Sequence, residues 1–445
     1  MFYLSFLLLA GCLPTLLAAP ILIRDKNNNA VRSGAMSINS YGSNPNTVKM
    51  SDGHVNGNPG NTAAAIYFIT NEPTGNNIIV GSVDSRGQVS FVEAVATGGL
   101  GAHGLADPIG PDPLFSQGAI KASPNSGVLA TVNAGSNTVS VFAIDPQDPT
   151  KLQHLGAPVG SGGEFPMSLA ISAKGSTVCV LNGGQINGVS CFSVDPTLGL
   201  VPIPNTTRSL GLNQTTPASG PPGSASHIVF SADGSKLIAS VKGVPPTPGF
   251  LAVWDIAQDG SLSEQFATVT PSQGGALPFS MTLIPGTDAI LSTDPAIGFD
   301  IFDLSGVTSL SGSNLTSSKS SAVSIPGQGA TCWSSFSSKT GSFFLTDVQT
   351  SIVTEVAIDQ NLQGSIIKQY PQANGSATID NDVANIGNND FLFTHAPGTS
   401  TINVMLLSQQ GQAQSVGTFS YGQRLTQAGI TFNPNNMQGM AAFVI

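Results

Sequence analysis

Residues 117–155 read QGAIKASPNSGVLATVNAGSNTVSVFAIDPQDPTKLQHL, and the fold turns on how this stretch divides. A short apolar run, IKAS, meets a Pro-Asn-Ser-Gly turn. A second run, VLATVN, ends on polar Asn133, and after a Gly-containing loop a third run, VSVFAID, alternates apolar and polar side chains up to Asp145. Alternation with period two marks a strand buried on one side, and Gly, Pro, Asn and Asp punctuate such strands. The same phrase recurs along the chain. Its second run ends at Asn71, Asn133, Asn182, Lys242, Asp294, Asp347 and His395, at intervals of 48–62 residues. Third runs VSCFSVD, LAVWDI, FDIFDL and VTEVAID follow the same rule. Seven β units of this length without helical periodicity predict an all-β, seven-bladed β-propeller, in which each sheet buries its faces against its neighbours.

The ring should close through the C-terminus. Unit one begins at its second strand, Ala64–Asn71, and a spare first-strand phrase, AGITFNP at Ala428–Pro434, stands near the end, followed by a second apolar run, MAAFVI. The expected organisation is residues 1–19 as signal peptide, 20–61 as a polar N-terminal arm that wraps the surface or is mobile, and 62–445 as a propeller closed by a C-terminal strand.

Composition sets the partners. Only 9% of the 445 residues are charged, and 15 Lys plus Arg against 25 Asp plus Glu give a net charge of −10. Without a basic face the chain cannot replace the counterions of a phosphate backbone, which excludes nucleic acid. Met1–Ala19, MFYLSFLLLAGCLPTLLAA, reads as a secretory leader, although Leu9–Cys12 also fits a lipoprotein cleavage box. Four Asn-x-Ser/Thr acceptors, at Asn205, Asn213, Asn314 and Asn374, lie in Ser/Thr/Pro/Gly-rich stretches and favour a secreted glycoprotein. Beyond residue 23 no apolar run approaches the ~20 residues that span a bilayer, so no membrane segment is expected once the leader is gone. The chain is expected to be a monomer with no cofactor and no metal. Cys179 and Cys191 flank a hairpin centred on Gln185 and would face each other in that register, either as a disulfide or as two buried thiols.

In a propeller the start of strand one and the end of strand two share one end of the ring. That places Ala119, Ser168, His227, Ser280, Trp333 and Gly429, with Asp382 a looser match, beside the seven strand-two ends. His227 and His395 are the acid/base candidates there, Lys242 the group to stabilise an oxyanion, and Glu164 of GSGGEFP the nearest carboxylate. Asp294, Asp347, Trp333, Asn133 and Asn182 are the candidate ligand contacts; the competing role for the Asn and Asp residues is turn capping. Gly99–Gly104 matches G-x-G-x-x-G, but LADPIGPDP follows it where a dinucleotide site needs a helix, so it reads as an inter-blade loop.

The phrases YFITN-x5-NIIVGSVD, ATGGLGAHG, LATVNAGSNTVSVFAID, GSASHIVFSADGSKL and GATCWSSF resemble the lactonase-like β-propeller family over about residues 62–445, as in a secreted, fungal-type member. That family includes propeller-type 6-phosphogluconolactonase and carboxymuconate lactonizing enzyme (a cyclase). The resemblance implies a small lactone as ligand and lactone hydrolysis or cycloisomerisation as activity. It also implies a P-R-H-x-x-F phrase followed by a strand ending in Glu. Here Ala225-Ser226-His227-Ile228-Val229-Phe230 keeps the His and Phe but not the Arg, and the next strand ends Ser240-Val241-Lys242 without the Glu. The other expectation is therefore a non-catalytic secreted propeller that binds a glycan, cell-wall or protein ligand.

Overall fold

The computed structural model describes residues 47–49 and 62–445. Seven antiparallel sheets follow one another along the chain, each with the strand order of a propeller blade. Blade two is typical: Ile120–Ser123 is innermost, then Val128–Asn133, Thr138–Ile144 and Leu152–His154. All six residues of its second strand are buried, because this strand is covered on both faces by neighbouring blades. Its third strand ends where Asp145 accepts the backbone N–H groups of Gln147 and Asp148 on one carboxylate oxygen. Asp195 does the same for Thr197 and Leu198, and Asp359 for Asn361 and Gln363. The terminal Asp of these three phrases is thus an Asx turn that satisfies the donors of the next hairpin.

Blade one carries the closure. Its second strand, Ala64–Ile69, pairs on one side with Asn77–Val83 and on the other with the last strand, Gln438–Val444, in the register Ala64↔Val444, Ala65↔Phe443, Ile66↔Ala442. Thr47–Lys49 adds an outer strand beside Val89–Ala96. The expected closing phrase is corrected: MAAFVI supplies the strand and AGITFNP does not. Tyr421–Gln427 forms the one α-helix among the described residues, and Gly429 at φ 71° turns the chain out of it. A left-handed glycine just past a helix ends it, so Gly429 is not at a strand-one start. Ile430 and Phe432 instead pack, half-buried, on the cluster around Tyr421 and Leu425.

Cys179 and Cys191 stand opposite each other on adjacent strands of blade three and are bonded, with Cα atoms 4.0 Å apart. Cys332 is a buried free thiol. No helix among the described residues is long and apolar enough to cross a membrane. The leader, and the arm apart from residues 47–49, lie outside the described residues.

Deleting Gln438–Ile445 removes the buried Met440 and Phe443, each worth about 1.5–3 kcal/mol, and bares one edge of the wholly buried strand Ala64–Ile69. That loss is large against a typical net stability of about 5–15 kcal/mol. The truncated chain should aggregate on expression, whereas Ile430→Ser should stay soluble with a modest fall in melting temperature; size-exclusion chromatography and calorimetry read both.

Candidate functional site

The blade-one-to-two linker, residues 97–119, is long for a connection between strands, and its end decides what the ring mouth looks like. Asp112–Gly118 leaves the rim and meets blades on several sides of the axis. The Ser116 carbonyl accepts Trp333 Nε1 at 3.0 Å from blade six and Gln438 Nε2 at 3.0 Å from blade one. The Ser116 hydroxyl donates to the Met167 carbonyl of blade three at 2.7 Å. The Gln117 amide donates to the Ser334 carbonyl and accepts the Ser334 N–H, at 2.9 and 3.0 Å. The segment is a plug across the mouth.

Beneath it sits Lys242, 2% exposed. Its ammonium donates to the carbonyls of Phe115 on the plug (2.8 Å) and Ala225 (3.0 Å) and to the Ser226 hydroxyl, and lies 4.6 Å from the centre of the Phe279 ring. Three acceptors for three N–H donors suit the charged form. Burial pulls the Lys242 pKa below its ordinary range, opposed by the Asp112 carboxylate. Burial likewise raises Asp112, opposed by Lys242. Asp380, buried close enough to raise Asp112 further, accepts Gln438 Nε2 at 2.7 Å and the Gly439 N–H at 3.0 Å; burial pushes it up to about 7.

His227 is also 2% exposed. Its Nδ1 accepts the Met281 N–H at 2.9 Å, so the ring proton sits on Nε2, which has no partner. Burial, then the charge of Lys121, holds its pKa well below the ordinary value, and the ring is neutral. Lys121 also acts on Asp380 and Asp382, so these channel-lining groups of blades two, four and seven share one electrostatic environment.

The remaining candidates are dispersed. His395 is wholly buried, packed on Phe68 and bonded through Nε2 to the Tyr421 hydroxyl at 3.0 Å, and burial takes its pKa down to about 3. Glu164 is half-buried at the rim, where it accepts the Thr216 hydroxyl at 2.5 Å. Asp294 receives the N–H groups of Ala276, Leu277 and Ala296, and Asp347 those of Gly329, Ala330, Gln349 and Thr350. Asn133 bridges Asn76, Thr97, Thr138 and Ser140, and Asn182 donates to the Ser161 carbonyl. Asp294 and Asp347 cap loops, whereas Asn133 ties its strand end to blade one and Asn182 ties its own to the preceding linker. Trp333 is buried with its N–H on the plug. Asp112, Ser116, Gln117, Lys121, Asp380 and Gln438 were not singled out from sequence; the readable signal was the length of the linker that carries the first three.

The fold is a seven-bladed β-propeller. Neither a family model nor a curated protein matches the chain. Among solved structures it is similar to the periplasmic gluconolactonase of Pseudomonas aeruginosa, with TM-score 0.59 and 16% identity over 80% of this chain and 96% of that one. Putative 6-phosphogluconolactonases from Bacteroides uniformis (TM-score 0.56, 13% identity, 85% and 99% covered) and Bacteroides fragilis (0.52, 12%, 83% and 97%) are similar too.

One buried acid has no part in the mouth. Asp300 is wholly buried in blade five, neither oxygen meets a donor, and burial plus the charge of Asp294 raises its pKa well above the ordinary value. An acid raised in the folded state is neutral in both states below about pH 4. As pH rises the unfolded chain ionises first, and stability falls by about 1.4 kcal/mol per pH unit until Asp300 itself ionises. Asp300→Asn should therefore raise the melting temperature more at pH 7 than at pH 4; equal shifts at the two pH values would contradict a neutral Asp300.

Proposed function

We propose that this protein is a non-catalytic, secreted glycoprotein of lactonase-like fold that binds a glycan, cell-wall or protein ligand on its polar surface. The observation that carries the reading is the plug. Lactone hydrolysis needs an acid/base group and an oxyanion donor side by side at a site the substrate can enter. Here Lys242 is saturated by three oxygens under Asp112–Gly118, Glu164 and His395 lie elsewhere, and the matching phrases lack the Arg and Glu of the resembling enzymes. The four acceptors Asn205, Asn213, Asn314 and Asn374 all have exposed side chains, as glycan attachment requires. Secretion after removal of residues 1–19, a monomeric state and no membrane anchorage belong to the same proposal.

One observation favours a second reading, a lactonase or carboxymuconate cyclase-like cycloisomerase: the unpaired Nε2–H of His227 in the channel. Purified protein assayed on a panel of lactones, alongside binding to glycan arrays and isolated cell walls, separates the two. We expect no turnover above buffer and binding that His227→Ala leaves unchanged. Turnover abolished by His227→Ala would establish the enzyme instead.

A further inference from the structure

Three donors from three blades converge on the plug. Lys242 Nζ of blade four is aimed at the Phe115 carbonyl, and Trp333 Nε1 of blade six and Gln438 Nε2 of blade one share the Ser116 carbonyl. The Asp112 carboxylate, on the same segment, is the charge that answers Lys242. Phe279 and Trp333 wall the place with their rings, in edge contact at 5.2 Å. One cation, two neutral N–H donors and an aromatic wall are what a small carboxylate needs: two oxygens to be shared among donors and a single charge to be balanced. A dianion is disfavoured, because Asp380 adjoins the same donors.

The plug that fills this place is held under strain. Asp112 (φ 70°) and Phe115 (φ 55°) both adopt the left-handed backbone that non-glycine residues rarely enter. Gly110, two residues before the segment, has open space where a side chain would stand. A 23-residue linker without strands, carrying strained residues over a set of convergent donors, has the build of a lid.

We propose that Asp112–Gly118 is an internal pseudo-ligand covering a carboxylate-binding site formed by Lys242, Trp333 and Gln438, and that a small carboxylate anion takes the site when the segment swings out. The Phe115 and Ser116 carbonyls stand where the ligand's oxygens go, and the Asp112 carboxylate, which accepts the Ser116 N–H at 3.0 Å, supplies the charge the ligand would replace, so ligand and plug compete for one set of donors. Apparent affinity is then reduced by the fraction of molecules that are closed. This goes beyond the surface-binding reading and does not depend on it.

Hydrogen–deuterium exchange of the full secreted chain tests the opening, and fluorescence of Trp333, in a Trp254→Phe background, tests the site with acetate and D-gluconate as probes. Peptides over 110–118 should exchange at least 100-fold faster than Val128–Asn133, at a rate that low denaturant does not change, and the probes should speed them further. Asp112→Asn should tighten probe binding about tenfold. Lys242→Met in that background should abolish it, and where that variant does not fold, Gln438→Leu should weaken it at least tenfold. Exchange of 110–118 only through global unfolding, no binding to Asp112→Asn, or binding that neither Lys242→Met nor Gln438→Leu alters would each overturn the proposal.

Discussion

The pairing of Gln438–Val444 with Ala64–Ile69 is the contact on which the ring depends. Every other blade is built from consecutive strands, so its hydrogen bonds are local hairpins. Blade one alone joins the two ends of the propeller, and without that ladder two sheet edges would face solvent in a chain with few charges to guard them. The same pairing sets the chemistry of the mouth. It brings Gln438 to the axis, where one amide reaches both Asp380 of blade seven's approach and the Ser116 carbonyl of the plug.

Charge is scarce in this protein, and part of what exists is buried at the mouth. Taking Lys242, Asp112 and Asp380 out of water costs several kcal/mol per ion unless each is met by an opposite charge or by hydrogen bonds. Gln438 and the Gly439 N–H meet Asp380, and the plug meets Lys242. Its Phe115 carbonyl completes the shell around the Lys242 ammonium, its Asp112 supplies the countercharge, and its Ser116 carbonyl takes two N–H donors that would otherwise be orphaned. Plug and mouth are each other's solvation, which explains why a segment with two left-handed non-glycine residues is held in place.

The blades were legible because their signals are local. Alternation marks the third strands, and Asp294 and Asp347, which end two of the second runs, cap the adjoining loops. The closing strand was misassigned because AGITF and MAAFVI are both short and apolar. What separates them is Gly429, a helix stop after YGQRLTQ, whose helix is short and has no side-chain N-cap bond to announce it. The plug was not legible at all as a set of contacts. Ser116 and Trp333 are 217 residues apart, and no spacing rule connects a loop to the far side of a ring. His395 misled for a related reason: its position in the repeat is that of a mouth residue, but Tyr421 of the following helix covers it.

Seven linkers meet at one end of any such ring, so whether the axis is open or closed depends on the longest of them and not on the blades. The likeness to a gluconolactonase and two putative 6-phosphogluconolactonases, at TM-scores of 0.52–0.59, is therefore a likeness of the ring alone. Fold is a property of the repeated strands and function a property of what the linkers leave exposed. In this chain residues 97–119 are that linker. They convert a cavity where His227 and Lys242 would face solvent into an interior where both are 2% exposed. Any use of the donors that Lys242, Trp333 and Gln438 present must begin with movement of Asp112–Gly118, because the Phe115 and Ser116 carbonyls occupy them.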